Sequence, residues 1–464
     1  MEIEIDNSTT SQLWNNRKPS KLRSKTNPMS IETQANNDER RETRGHQNST
    51  SSIRFQRPGP RMHQNPPFHQ KRPRPSFRKN NHTRPSTQRN QHQNKYSEAK
   101  KQRYKILEEL GRGTFGVVNK AQDKESDEEK FLAIKKVLQE PLYHHREFSI
   151  TSQLSHPNCI PILDHFYTRE SNWDNQEEYL NLVMPYYKQN LYKVLRYYRS
   201  RTMDFPPSLA KIYIYQMFRA LGYLKSQGII HRDLKPQNIL VNAQTQQLVF
   251  CDFGSAKRIE KGQLSTSYIC SRFYRPPELI LGQEIYDETV DMWSIGCVIS
   301  EIFIGTPIFP GQNTKDQMDR ICQVLGNPTN EQIFQMCGKK NKFQLVKCRR
   351  MGLSTQFRTN IDPLVLDLLE KIFVYNPKKR IKPLEALLHP YFDELRNQRL
   401  TVNGKEMIEL FDFSEEELQF YEAEAEAEDV RRRKIRKVRC KLMPFWFRAE
   451  KFEKENPGKF YTND

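Results

Sequence analysis

HRDLKPQNILVNAQTQQLVFCDFG, residues 231–254, decides how this chain is read. Lys235 follows Asp233 by two positions, Asn238 by five and a second acid, Asp252, by 19. The side-chain oxygens of Asn238 and Asp252 suit a hard cation such as magnesium, which keeps several waters and takes few carboxylates. Upstream, GRGTFGVV at residues 111–118 fits G-x-G-x-x-G-x-V within a predicted hairpin. LAIK follows it, so Lys135 projects from a predicted strand. Glycines alone mark any tight turn, and a lone acid is most often a surface charge. Four such features in this order leave chance little room.

In that order they resemble the protein-kinase signature set. The resemblance implies an α+β, bilobal fold with a small β-rich N-lobe and a larger helical C-lobe. The pattern along the chain agrees. YKILEEL, GRGTFGVVNKAQD and FLAIKKVL read as antiparallel strands, and HHREFSITSQLSH has helical spacing at Phe148, Ile150 and Leu154. YLNLVMPYY reads as a buried strand ending at a proline, and PSLAKIYIYQMFRALGYLKSQG as a long amphipathic helix closed by Gly228. The expected domains are a basic arm at 1–100, a kinase domain at 101–396 and a C-terminal tail at 397–464. The lobes are expected at about 104–185 and 188–396, joined near Pro185 to Tyr187.

Phosphoryl transfer needs positioning and charge neutralisation more than covalent help. Gly111, Gly113 and Gly116 would let backbone approach the phosphates of ATP where side chains would collide. Lys135 would hold those phosphates, steadied by an ion pair with Glu147. Asn238 and Asp252 would hold Mg2+, and Asp233 would orient the acceptor hydroxyl and receive its proton. Lys235 would reach the transferred phosphate, and a lysine there points to serine or threonine as acceptor. Leu110, Val118, Ala133 and Leu240 would sandwich adenine, with Met184 behind. The Pro185 carbonyl and Tyr187 amide would meet its edge, since proline forfeits only an N–H.

CDFGSAK, SYICSRFYRPPELILG, VDMWSIGCV and QVLGNPTNEQI resemble the superfamily of cyclin-dependent and mitogen-activated kinases, and within it the glycogen synthase kinase-3 family. The resemblance runs from about Tyr104 to Arg396 and continues faintly through ELFDFSEEEL. It implies protein substrates already phosphorylated four residues C-terminal to the target. Arg146, Arg232 and Lys257 would bind that priming phosphate; alternatively they bind a phosphate on this chain's own Ser265, Thr266 or Ser267. Tyr268 matches an autophosphorylated tyrosine, or packs as an ordinary aromatic. The resemblance also implies a Glu278–Arg380 ion pair, an Asp291 brace on the catalytic loop, and scaffold docking on the C-lobe near Gln323 to Gln335. Phe273, Pro276 and Pro185 depart from the family pattern without removing a catalytic group. A catalytically silent scaffold is the competing class, and the intact Lys135, Glu147, Asp233, Asn238 and Asp252 argue against it.

Residues 1–100 carry few aliphatics and no structural period, so they are expected to remain disordered. Between Ser51 and Ser97 lie eleven Lys or Arg and no acid, more than half of the net charge of +19. That arm would attract nucleic acid or another polyanion, although it offers mainly Phe55, Phe68 and Phe77 for stacking. Ser76, in RPRPSF, is a candidate pseudosubstrate site. In the tail, Ser414 and Glu417 have capping-box spacing ahead of an acidic block, and RRRKIRKVRCK follows. That charged run is expected to form a solvated helix, with nuclear import, anionic lipid or a partner protein as the alternatives. No apolar run reaches membrane-spanning length, and MEIEIDNSTT has no secretory pattern. Eight scattered cysteines suit a reducing compartment. The expected location is cytoplasmic, nuclear or both.

Overall fold

The computed structural model describes residues 3–5 and 100–456, except 114–115, 127–129, 140–145, 173–174, 261, 339–347, 358–360, 398–399, 403–404, 407–408, 415–416 and 419–437. Most of the basic arm, including Ser76, and the charged run from residue 419 to residue 437 lie outside these residues; the end of that run, from Val438, is described and helical. Within the arm, β1 (Ile3–Ile5) pairs in parallel with Leu400–Val402. The alternating IEI has the period of a strand but is too short to be read as one from sequence.

The N-lobe is a five-stranded antiparallel sheet of β2 (Tyr104–Gly113), β3 (Gly116–Asp123), β4 (Phe131–Leu138), β5 (Asp164–Asn172) and β6 (Asn175–Pro185). The spatial order is β2-β3-β4-β6-β5. Alternation along β4 sends Leu132 and Ile134 into a small core with Tyr104, Ala121, Phe166 and Val183. Ala133 and Lys135 therefore point to the opposite face. Between β4 and β5, α1 (Arg146–Thr151) carries Glu147. The helical spacing predicts an element reaching Leu154; the helix ends at Thr151, and Leu154 is buried in the turn that follows.

The C-lobe is built around α3 (Pro207–Ser226), which follows α2 (Leu191–Ser200). Its sequence predicts an amphipathic helix, but every residue from Ile212 to Leu224 is buried, because other elements surround it. Its buried amide, Gln216, stays satisfied by accepting from Asn158 (2.9 Å) and Leu248 N (2.8 Å) and donating to Gln246 O (2.8 Å). Gly228, at φ 63°, takes the left-handed conformation just past the helix end. Beyond α4 (Pro277–Ile280), α5 (Thr289–Ile304) runs through the same core, with Trp293 against Phe309 and Phe373. Further along come α6 (Thr314–Leu325), α7 (Asn330–Cys337) and α8 (Pro363–Ile372). Among the described residues no helix is long and apolar enough to cross a membrane.

The tail beyond residue 397 is not a separate appendage. Leu410, Phe411, Phe413, Leu418, Val438, Leu442, Met443 and Phe447 join the main core. Buried Arg219 of α3 donates to the carbonyls of Glu409 and Asp412 and lies 4.9 Å from the Phe413 ring centroid. The predicted capping box forms: Glu417 N donates to Ser414 Oγ (3.2 Å) and Ser414 N to Glu417 Oε2 (2.7 Å). Glu417 Oε1 also meets His156 Nε2 at 3.2 Å, where His156 stacks on Tyr223 of α3.

Glu278 and Arg380 make a two-pronged ion pair at 2.6 Å on each arm, with side-chain exposures of 1% and 0%. Arg380 also donates to the carbonyls of Thr289 and Val374, so its buried charge is fully engaged. Arg380→Met would leave the carboxylate buried without its partner. Urea unfolding is expected to show a loss of about 3–5 kcal/mol; an unchanged midpoint would mean that the pair contributes nothing to stability.

Candidate active site

The cleft between the lobes is organised by a buried lysine. Lys135 of β4, opposite Val118 on β3 and Leu182 on β6, is 7% exposed. Its Nζ donates to Glu147 Oε1 (2.7 Å) and Oε2 (2.9 Å) and to Asp252 Oδ1 (2.8 Å). Burial works against the ammonium ion, but the two carboxylates prevail and hold its pKa above the ordinary lysine value. Burial likewise works against the Asp252 carboxylate, and Lys135 prevails, holding that pKa below the usual range.

A second group lies around Asp233. Its Oδ1 accepts from Ser271 N (3.0 Å) and Oγ (2.7 Å). Its Oδ2 accepts from Asn238 Nδ2 (3.1 Å) and pairs with Lys235 (3.2 Å), which also donates to Ser271 Oγ (3.0 Å). Ser271 is the residue that sequence spacing misses. It lies 38 positions from Asp233 with no local pattern to mark it, and only the fold brings its hydroxyl to the acid. Because the Asn238 amide nitrogen is used on Asp233, its carbonyl oxygen is the atom that could coordinate a cation. Asp252 also keeps its second oxygen, so the pair suits an ion that takes few protein ligands.

The backbone here is held against its preference. Arg232, Asp252 and Cys270 have φ of 67°, 62° and 64°, all left-handed without being glycine. Asp291 of α5 fixes the first, accepting from His231 N (2.7 Å) and Arg232 N (2.9 Å). His231 Nε2 donates to Cys251 O at 3.0 Å, tying the two motif-bearing segments together. The brace expected of Asp291 is thus visible atom by atom.

The glycine-rich hairpin closes with Gly111 opposite Val118 and Gly113 opposite Gly116; its tip, Thr114 and Phe115, lies outside the described residues. A Cβ on Gly111 or Gly113 would meet nothing within 4 Å, leaving open space over the cleft. Gly116 serves another purpose. It has φ 125°, and a Cβ there would come within 2.1 Å of Lys136 O, so glycine allows β3 to approach β4. Val118 and Ala133 lie on the same face of the sheet as Lys135, and Met184, Tyr187 and Leu240 pack half-buried against the main core. Leu110 is exposed, and Pro185 ends β6 at the lobe junction. A separate cavity of about 240 Å³, near Arg103, Lys130 and Asp164, shares none of these residues.

Lys257 lies within electrostatic range of Arg232 and Arg146. The short strand Lys257–Arg258 pairs antiparallel with Ile229–Ile230, which sets Lys257 opposite Ile230, two residues before Arg232. Burial first, then the like charges of Arg232 and Arg146, lower the Lys257 pKa, opposed by Glu260. Arg232 Nε donates to Ser255 O (2.7 Å), and its Nη1 to the Tyr286 hydroxyl (3.1 Å). Tyr268 is 58% exposed, with the Arg275 guanidinium 4.7 Å from its ring centroid, so it is not a packed core aromatic.

Beneath Ser271, the Tyr274 hydroxyl donates to buried Glu301 Oε2 at 2.7 Å. Burial pushes the Glu301 carboxyl up to about 7, against the lowering effects of that hydrogen bond and of Arg199. A carboxyl that holds its proton more tightly when folded stabilises the fold at low pH, and this contribution is lost as pH rises to about 7. Glu301→Gln should therefore gain stability relative to the wild type between pH 5 and 8, by about 3 kcal/mol at most. Denaturant titrations at the two pH values would show parallel shifts instead if Glu301 titrates normally.

Residues 104–392 match the family described as Protein kinase domain.

Proposed function

The chain belongs to the protein kinase family, and we propose that it is a serine/threonine kinase of the glycogen synthase kinase-3 type, preferring phosphate-primed protein substrates. The observation that carries this reading is the buried Lys135 ammonium between Glu147 and Asp252, facing the Asp233, Lys235 and Asn238 group. Bound ATP supplies the phosphoryl group, and Mg2+ offsets its negative charge. Leu110, Val118, Ala133, Met184 and Leu240 hold the adenine, with the Pro185 carbonyl and Tyr187 amide at its edge. Gly111 and Gly113 leave room for phosphates, which Lys135 binds. Asn238 and Asp252 hold the metal.

Asp233 orients the acceptor hydroxyl and takes its proton, and Lys235 steadies the phosphoryl group in flight. Ser271 keeps both side chains aimed, which makes it a positioning residue. The cations Arg146, Arg232 and Lys257 receive the priming phosphate four residues downstream of the target. What supports this is their mutual electrostatic influence, since three clustered positive charges make an anion site. Tyr268 is the self-phosphorylated tyrosine, and its exposure suits that role.

A scaffold partner docks on the C-lobe around Gln323 to Gln335, where Phe334 is exposed. The protein acts in the cytoplasm, the nucleus or both, and the basic arm is the segment through which nucleic acid would bind.

Asp252→Asn and Lys135→Met are each expected to lower peptide phosphorylation at least about a hundredfold. Full turnover by purified Asp252→Asn would reject the mechanism. With matched serine peptides bearing or lacking the downstream phosphate, the wild type should favour the primed form, and Lys257→Ala should reduce that ratio about tenfold or more. Equal rates on both peptides in the wild type would dismiss priming while leaving phosphoryl transfer in place.

A further inference from the structure

From Tyr179 to Met203 the chain carries five cations, Lys188, Lys193, Arg196, Arg199 and Arg201, and no acid. Helix α2 buries Leu191, Val194, Leu195 and Tyr198, which leaves positions 193, 196 and 199 on its exposed face, three residues apart. Lys188 before the helix and Arg201 after it are exposed as well. Among the described residues none of the five side chains has a carboxylate within ion-pair distance. Arg199 acts on the buried Glu301 carboxyl from further away, and the Arg201 guanidinium lies 3.8 Å from the Tyr197 ring centroid. Neighbouring like charges on a helix repel one another, so this face gains most from an anion brought to it.

The same face borders the acceptor site. α2 packs on the turn Pro236–Asn238 of the catalytic loop, and Asn190 at its start pairs with Leu240. Tyr192 lies within electrostatic range of Tyr274, whose hydroxyl donates to Glu301. Tyr274 is three residues beyond Ser271, the residue that holds Asp233. A protein segment whose hydroxyl reaches Asp233 therefore enters the field of α2. Arg232 and the strand pairing of Lys257 lie just before Asp233 in the loop, whereas α2 packs on the part after it. With the C-terminal side of the target given to the priming phosphate, α2 is left for the N-terminal side.

We propose that the basic face of α2, flanked by Lys188 and Arg201, selects protein substrates that carry an acidic stretch N-terminal to the phosphorylated residue. The direction rests on the priming role proposed above; the charge preference does not. A face beside the site that receives a protein hydroxyl favours acidic protein over nucleic acid. An exposed ion pair changes binding by a factor of roughly 1.4 to 5, so four together amount to about tenfold.

The test uses the full chain and two serine peptides that are identical from the serine onward. One bears four glutamates on the N-terminal side, the other four glutamines. The glutamate peptide should have a kcat/KM about tenfold higher at 0.1 M salt, with the difference carried by KM. At 1 M salt, where the screening length falls from about 10 to about 3 Å, the two should converge. The double variant Lys193→Glu, Arg196→Glu should keep the wild-type rate on the glutamine peptide and prefer a matched lysine peptide over the glutamate one. Fluorescence anisotropy of labelled peptides should give the same ranking without turnover.

Equal kcat/KM and equal affinity for the glutamate and glutamine peptides would overturn the proposal. A glutamate preference that survives in the double variant would assign it to another cationic segment, such as the basic arm, and would overturn it too. Glutamates effective only on the C-terminal side of the serine would overturn the direction. Tighter binding of an unstructured oligonucleotide than of the glutamate peptide, lost in the double variant, would make the face a nucleic-acid site instead. Because the two peptides share their C-terminal half, a failure of priming would leave the glutamate comparison intact.

Discussion

A single ammonium ion set between two carboxylates underlies the architecture of the cleft. Lys135 comes from the sheet of the N-lobe, Glu147 from the short helix beside it, and Asp252 from the segment that follows the strands Ile239–Asn242 and Gln247–Phe250 in the C-lobe. An isolated buried charge is too costly to keep, so each of the three holds its charge only while the others remain in place. The arrangement therefore fixes how the lobes meet through a single Asp252 oxygen. Removing any partner would change the geometry and the protonation of the other two together.

The second constraint is backbone conformation. Three non-glycine residues with positive φ, at 232, 252 and 270, lie in or beside the segments that bear the catalytic motifs. Each is costly in isolation and persists because its surroundings overdetermine it. Asp291 takes both amides at 231 and 232, His231 holds the Cys251 carbonyl, and Arg275 donates to the carbonyls of Ile269 and Cys270. The rigid helix α5, anchored in turn by the buried Glu278–Arg380 pair, thus acts as the platform on which these strained segments rest.

The tail extends that platform toward the N-lobe. Glu417 reaches His156 in the segment between α1 and β5, and Arg219 bonds to the carbonyls before it. Burial, opposed by Glu417, lowers the His156 pKa, so the imidazole stays neutral at physiological pH and serves as a fixed hydrogen-bonding wedge. Chain well past the residues matched by the family thus contributes to the core that supports the site.

Local sequence was enough for features set by short-range spacing. The lysine on its strand, the acid and amide five residues apart at 233 and 238, and the capping box at 414 and 417 each depend on neighbours along the chain. Four of the five strands of the sheet were legible for the same reason, through alternation and glycine-marked turns, whereas β5 (Asp164–Asn172) was not read from the sequence. Other features could not be read that way. Ser271 on Asp233, Ser265 on Lys257, the close approach that requires Gly116, and the docked tail on Arg219 depend on segments eight to about two hundred residues apart. The all-round burial of α3 was hidden too, because periodicity reports the contrast between helix faces and not how many neighbours surround them. Tertiary structure decided these features because hydrogen bonds and excluded volume act through space, and residue order constrains that space only over a few positions.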